Sequence, residues 1–268
     1  MANHISNETK TEILNLYKEK YLIKDIAFKT SVHYTTISRY LQSLNLQTRK
    51  RKYVFNEHYF SEIDTSDKAY WLGFIFADGS NDIQNGLRIA LKESDKSHLS
   101  KFLNCLNFEK HPTLKIRKIK DKEYVSLKIT SKILTDSLIQ LGIGKNKTKS
   151  PILPNVPEKF KYDFLRGLFD GDGCFYFQNK DSKIRNVTCY FTLHESICEP
   201  VLELIKDSIP VQEWSLLPHW RTSYIRTVRI NGINKCSKFL DKLYKNSNIF
   251  LDRKRLKVKQ FYSESGID

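Results

Sequence analysis

Trp71-Leu72-Gly73-Phe74-Ile75-Phe76-Ala77-Asp78-Gly79 and Leu165-Arg166-Gly167-Leu168-Phe169-Asp170-Gly171-Asp172-Gly173 decide how this chain is read. Each is an apolar run with small residues four apart, closed by Asp-Gly. Taken as helices, they line up Gly73 with Ala77 and Gly167 with Gly171, so each offers a face on which another backbone can approach closely. Asp78 and Asp172 fall in the last turn, where the helix dipole disfavours a carboxylate. Pairing the helices about a pseudo-two-fold axis adds repulsion between the two acids. That arrangement asks for a cation, and oxygen ligands favour Mg²⁺ or another hard divalent ion such as Mn²⁺. Such a metal can activate water and stabilise a leaving oxygen. Gly79 and Gly173 are expected as left-handed C-caps.

Around each run the same order of elements recurs, the two aspartates being 94 residues apart. In the first unit a strand is expected at Leu87–Lys92, with Leu87, Ile89 and Leu91 inward. A helix follows at Ser97–Leu106, then strands at Thr113–Lys118 and Tyr124–Thr130, and a helix at Lys132–Leu141. In the second unit the expectations are a strand at Val187–His194, a helix at Ile197–Ser208, strands near Trp214–Leu217 and Tyr224–Ile230, and a helix at Asn234–Tyr244. The fold class is therefore α+β: two pseudo-symmetric αββαββα units whose sheets form DNA-binding saddles. The outward faces carry Arg88, Lys92, Lys115, Arg117, Lys128, Thr188, Tyr190, Thr192 and Arg229. A basic, hydrogen-bonding face repeated in both halves suits the major groove of a duplex.

Residues before the first unit read as three short helices, at Lys10–Tyr21, from Asp25, and at Thr35–Leu44. Ala27, Val32, Ile37 and Leu41 are spaced as the core of a helix-turn-helix, with Ser31 where a turn glycine is common. The third helix would present Thr35, Thr36, Ser38 and Arg39 to DNA. The expected domains are 1–48 (helix-turn-helix), 49–66 (a linker opening on the basic run Arg49-Lys50-Arg51-Lys52), 67–155 and 156–268.

Composition agrees with a nucleic-acid partner. The 268 residues carry a net charge of +15 and a pI near 9.4, which favours phosphate backbones. No signal peptide, lipidation signal or apolar run approaching the ~20 residues of a membrane span is present, so a cytoplasmic or organellar, non-secreted protein is expected. Five scattered cysteines without a C-x-x-C pair argue against a zinc knuckle or a disulfide scaffold.

The two runs resemble the paired motifs of single-chain LAGLIDADG homing endonucleases, here with an N-terminal helix-turn-helix. The resemblance covers roughly Asp67 to Gln260. Asp78 and Asp172 fall on the family's metal-binding acid, and Asp170 on its other aspartate, which Phe76 replaces in the first copy. It implies metal-assisted cleavage of both strands of a long, asymmetric DNA site by a monomer, leaving short 3′ overhangs. It also implies one basic residue per half near the cleft. Lys149 matches best in the first half and Lys254 in the second, with Lys147 and Arg253 as competing neighbours. Two other functions stay open: a DNA-binding transcriptional regulator without catalysis, and a maturase acting on intron RNA.

Overall fold

In the computed structural model, residues 5–46, 53–84, 86–145, 147, 149–180, 183–219 and 222–266 are described. The elements are α1 (Asn7–Lys18), α2 (Ile23–Thr30), α3 (Tyr34–Ser43), α4 (Ser66–Asp78), β1 (Gly79–Asp82), β2 (Gly86–Lys92), α5 (Lys96–Cys105), β3 (Lys115–Ile119), β4 (Lys122–Ile129) and α6 (Lys132–Gln140). The second unit comprises α7 (Lys161–Asp172), β5 (Gly173–Lys180), β6 (Lys183–His194), α8 (Cys198–Ile205), β7 (Ser215–His219), β8 (Thr222–Asn231), α9 (Ile233–Tyr244) and α10 (Asp252–Ser265). The expected repeat is present. Each unit builds an antiparallel four-stranded sheet, ordered β1-β2-β4-β3 in the first and β5-β6-β8-β7 in the second.

Alternation of side chains sets the orientation of both sheets. Leu87, Ile89 and Leu91 point into the core from β2, as do Val187, Cys189, Phe191 and Leu193 from β6. Arg88, Ala90 and Lys92 point out, as the period of two requires. In β3 every residue is exposed, including Ile116. An edge strand with little beneath it does not bury the inward side that its alternation suggests.

The helices α4 and α7 form the centre. Their seam is the most extensive contact in the molecule, and one continuous apolar core runs across it into both halves. A Cβ on Gly73 would lie 2.0 Å from the Phe164 carbonyl oxygen, and a Cβ on Gly167 would lie 1.9 Å from that of Tyr70. These are equivalent positions of the repeat, so the backbones touch with two-fold symmetry. Gly79 and Gly173 are extended, with φ of −82° and −87°; the expected left-handed caps do not form. Space is what glycine supplies there: a Cβ on Gly173 would come within 2.2 Å of the Phe169 ring.

Residues 53–66, read as the end of a linker, belong to the first unit. Tyr59, Phe60 and Ile63 are buried in its core, and Phe55 stacks on Phe108 at 4.3 Å. The basic run Arg49–Lys52 lies outside the described residues. The N-terminal helices have their own small core of Ile13, Tyr21, Ile26, Ile37 and Leu41. Ser31 adopts the left-handed conformation between α2 and α3, φ 55°, the geometry for which a glycine is common. This bundle docks on α6: the Tyr21 hydroxyl donates to Asp136 Oδ2 at 2.7 Å, and Asp136 Oδ1 also accepts from Lys132 within α6 at 2.7 Å. No helix among the described residues is long and apolar enough to cross a membrane.

Candidate active site

Because α4 and α7 touch through glycine, their last turns bring Asp78 and Asp172 together. The Asp78 carboxylate oxygen lies 3.5 Å from where a Cβ on Gly171 would sit, one residue from Asp172. Both side chains are open to solvent, yet protein surrounds them closely. Burial raises the Asp172 carboxyl first and the charge of Asp78 second, pushing it up to about 6, while Lys147 and Lys254 pull it down. Burial also raises Asp78, against the opposing pull of Lys254, Lys147 and Arg253.

Each helix end is closed by a lysine. Lys147 donates to the carbonyls of Phe76 and Ala77; Lys254 donates to those of Phe169 and Gly173. These carbonyls lie at the ends of the helices, where that of Phe169 also accepts from the backbone amide of Gly173, so the ammonium groups supply donors there and offset the negative ends of the dipoles. Desolvation brings both lysines down to about 8, and the nearby aspartates resist that shift. Lys149, the first-half lysine expected near the cleft, is exposed; the lysine that reaches the end of α4 is Lys147, two positions earlier. In Lys145-Asn146-Lys147-Thr148-Lys149 the lysines alternate evenly, so no spacing singles one out. Lys254, the second-half lysine expected near the cleft, is buried at the end of α7. It lies on α10, which buries Lys254, Val258 and Phe261 at helical spacing.

Behind the acids lies a buried network. Asp170 is fully enclosed and accepts from the Tyr70 hydroxyl at 2.8 Å, the Tyr244 hydroxyl at 2.5 Å and the Leu251 amide at 2.7 Å. His98 Nε2 lies 2.9 Å from the Tyr70 oxygen; since that hydroxyl donates to Asp170, the imidazole donates to it. Burial forces His98 down to about 3, so it stays neutral. Asp170 thus ties α4, α7, α9 and the entry to α10 together. Across the halves, Arg253 pairs with the buried Asp95 at 2.9 Å and Lys101 with Asp252 at 2.6 Å. These links hold the N-terminus of α10, and with it Lys254, against the first unit. No local pattern reveals them.

The sheet residues lie where the alternation placed them. Arg88, Lys92 and Lys128 are exposed on the outer face of the first sheet, and Lys115 and Arg117 on its edge strand. Thr188, Tyr190, Thr192 and Arg229 are half-buried on the second sheet, with Tyr190 opposite Arg229. On α3, Arg39 is exposed and Thr35, Thr36 and Ser38 are half-buried.

No protein-family model matches the chain. An uncharacterized protein, MJ1054 of Methanocaldococcus jannaschii, is 30% identical over 128 residues; the match takes in 46% of this chain and 14% of that protein's length. Among solved structures, the fold is similar to LAGLIDADG meganuclease I-AabMI bound to uncleaved DNA, at 15% identity and a TM-score of 0.48, over 74% of this chain and 90% of the other. It is also similar to full-length DUF199/WhiA from Thermatoga maritima, at 14% identity and a TM-score of 0.45, over 78% of this chain and 64% of the other.

Proposed function

We propose that the chain is a site-specific endonuclease that breaks both strands of a DNA duplex by metal-assisted phosphodiester hydrolysis. The pair Asp78 and Asp172 carries this reading: two solvent-open carboxylates on touching helices, each helix end closed by a lysine. Among the described residues neither carboxylate accepts a hydrogen bond or an ion pair. Their oxygens therefore remain available, and Asp172 stays high at about 6 despite two neighbouring ammonium groups. A donor set of free, mutually repelling carboxylate oxygens open to water suits Mg²⁺ or Mn²⁺, which keep several water ligands. No group of three or more His, Cys, Asp or Glu that could hold a metal ion is found among the described residues; in this reading Asp78 and Asp172 are the side-chain ligands, with water completing the shell. Bound there, the cation would supply Lewis-acid stabilisation and a water of lowered pKa.

The chain's own residues do the rest. The helix seam fixes the separation of the acids. Lys147 and Lys254, anchored on carbonyls, hold positive charge where negative charge builds on a scissile phosphate. Both sheets present outer faces to the grooves on either side of the cut, and α3 extends the footprint through Thr35, Thr36, Ser38 and Arg39. Since one chain contains both halves, a monomer suffices, and its unlike faces call for an asymmetric target.

The test is cleavage of a library-selected duplex with Mg²⁺. Asp78→Asn and Asp172→Asn should each abolish double-strand breaks while retaining binding. Full cutting by both variants refutes the site. Binding without cutting by the unaltered chain would make it a DNA-binding regulator instead.

A further inference from the structure

The two sheets differ in the chemistry of their outer faces, and the strand register shows where the difference lies. On the first sheet Arg88 stands directly opposite Lys128 across β2 and β4, while Lys115 and Arg117 project from the edge strand β3. All four are exposed, and none is in an ion pair among the described residues. Like charges directly opposite each other destabilise a sheet, so this face is built for an acceptor-rich partner. On the second sheet, Thr188, Tyr190, Thr192, Thr227 and Asn231 surround Arg229 along the β6–β8 rows. Those side chains mix donors, acceptors and methyl groups.

Position separates two uses of the cations. In the order β1-β2-β4-β3, β2 and β4 are central and β3 is an edge. Neighbouring strands lie about 5 Å apart, and the major groove of B-DNA is about 12 Å wide. A pair of central strands therefore fits within the groove, leaving the edge strand at the phosphate rim. Arginine and lysine only donate hydrogen bonds. Of the four bases, guanine alone offers two acceptors and no donor in that groove; adenine and cytosine put an amino group there, and thymine puts a methyl group beside its one oxygen. The deep, narrow major groove of A-form RNA would not admit the sheet.

We propose that Arg88 and Lys128 read guanines in the half of the target beneath the first sheet, and that Lys115 and Arg117 hold the adjoining phosphates. This assignment rests on the DNA-binding reading above.

The full chain is used to select bound duplexes from a library randomised across the footprint. Selections with Arg88→Gln, Lys128→Gln and the double variant K115A/R117A run in parallel, and thermal melting confirms that each folds. The unaltered chain should enrich guanine at one or two positions of one half-site. Arg88→Gln and Lys128→Gln should each relax one of these positions or shift it towards adenine, weakening the guanine site roughly tenfold to a hundredfold and leaving the other half-site unchanged. The double variant should weaken all sequences alike and lower the slope of log affinity against log salt by roughly 2.

Two results overturn the assignment while leaving DNA binding intact: selected sites without guanine enrichment, or Gln variants that keep the original preferences. Retention of no duplex at all, or preference for structured RNA, overturns both this assignment and the DNA-binding reading.

Discussion

Gly167→Ala tests the geometry on which the site depends. The added Cβ would lie 1.9 Å from the Tyr70 carbonyl oxygen, 2.7 Å from the Phe74 amide nitrogen and 2.9 Å from the Tyr70 carbonyl carbon. All three are backbone atoms of α4, so no side chain can rotate away. To restore even 3.0 Å, α4 and α7 must part by about 1.1 Å at the crossing. A gap of about 0.5–1 Å already forfeits a quarter to a half of each dispersion contact it opens, and the seam is lined on both sides by buried Tyr70, Phe74, Phe164 and Leu168. Overpacking usually costs about 1–3 kcal/mol; with a rigid neighbour, the expected loss is about 3 kcal/mol or more. For a chain of this size that corresponds to a fall in Tm of roughly 6–12 °C. Gly144→Ala is the control. Its Cβ would meet only an Ile139 side-chain atom at 3.9 Å, so the change is expected to be neutral or to stabilise by up to about 1 kcal/mol. Thermal and urea unfolding of both variants measure the difference, and cleavage assayed below the variant's Tm reports whether the acids have separated. A Gly167→Ala protein melting within ~2 °C of the unaltered chain would refute the close-packed seam.

Three further outcomes are expected. Asp172, pushed up to about 6 from 3.8, should titrate near pH 6 by carboxyl ¹³C NMR in metal-free protein, and lower once Mg²⁺ is added. Because its folded pKa is raised, its stabilising contribution is complete below pH 3.8 and is lost as pH rises through about 6; Asp172→Asn should flatten that part of the stability curve. A resonance titrating at 3.8 in the free protein would contradict the crowded pair. Lys147→Ala should reduce cleavage by roughly ten- to a thousandfold, whereas Lys149→Ala should cut like the unaltered chain; the reverse order would restore Lys149 to the site. Asp136→Ala removes the acceptor shared by Tyr21 and Lys132, at a cost of about 1.5–3 kcal/mol to docking. Hydrogen exchange in α1–α3 should accelerate, and unchanged protection would show that the bundle is held by other contacts.

The two copies of the motif are not interchangeable. Asp170 gathers three hydrogen bonds in the second copy, while its counterpart Phe76 is packed against Phe164 in the first. The cross-links Arg253–Asp95 and Lys101–Asp252 place the helix carrying Lys254 against the opposite half. Lys147, in contrast, is held by carbonyls of its own half. The centre is therefore symmetric in its acids and asymmetric in how its lysines are supported.

Periodicity alone determined much of this molecule. The small residues four apart in Trp71–Gly79 and Leu165–Gly173 specified the touching helices, and the positions of Asp78 and Asp172 within those runs specified the acids. Alternation along Leu87–Lys92 and Val187–His194 fixed which side chains face the core and which face outward. Such patterns are legible because a helix or strand repeats its geometry every few residues. Contacts between segments distant in the chain leave no local period. Tertiary structure alone chose Lys147 over Lys149, since which lysine reaches the Phe76 and Ala77 carbonyls depends on the path of an irregular loop. It also drew residues 53–66 into the core, paired Asp95 with Arg253, and gave Gly79 and Gly173 their purpose. That purpose is room for Ile75 and Phe169, because the chain leaves each helix extended.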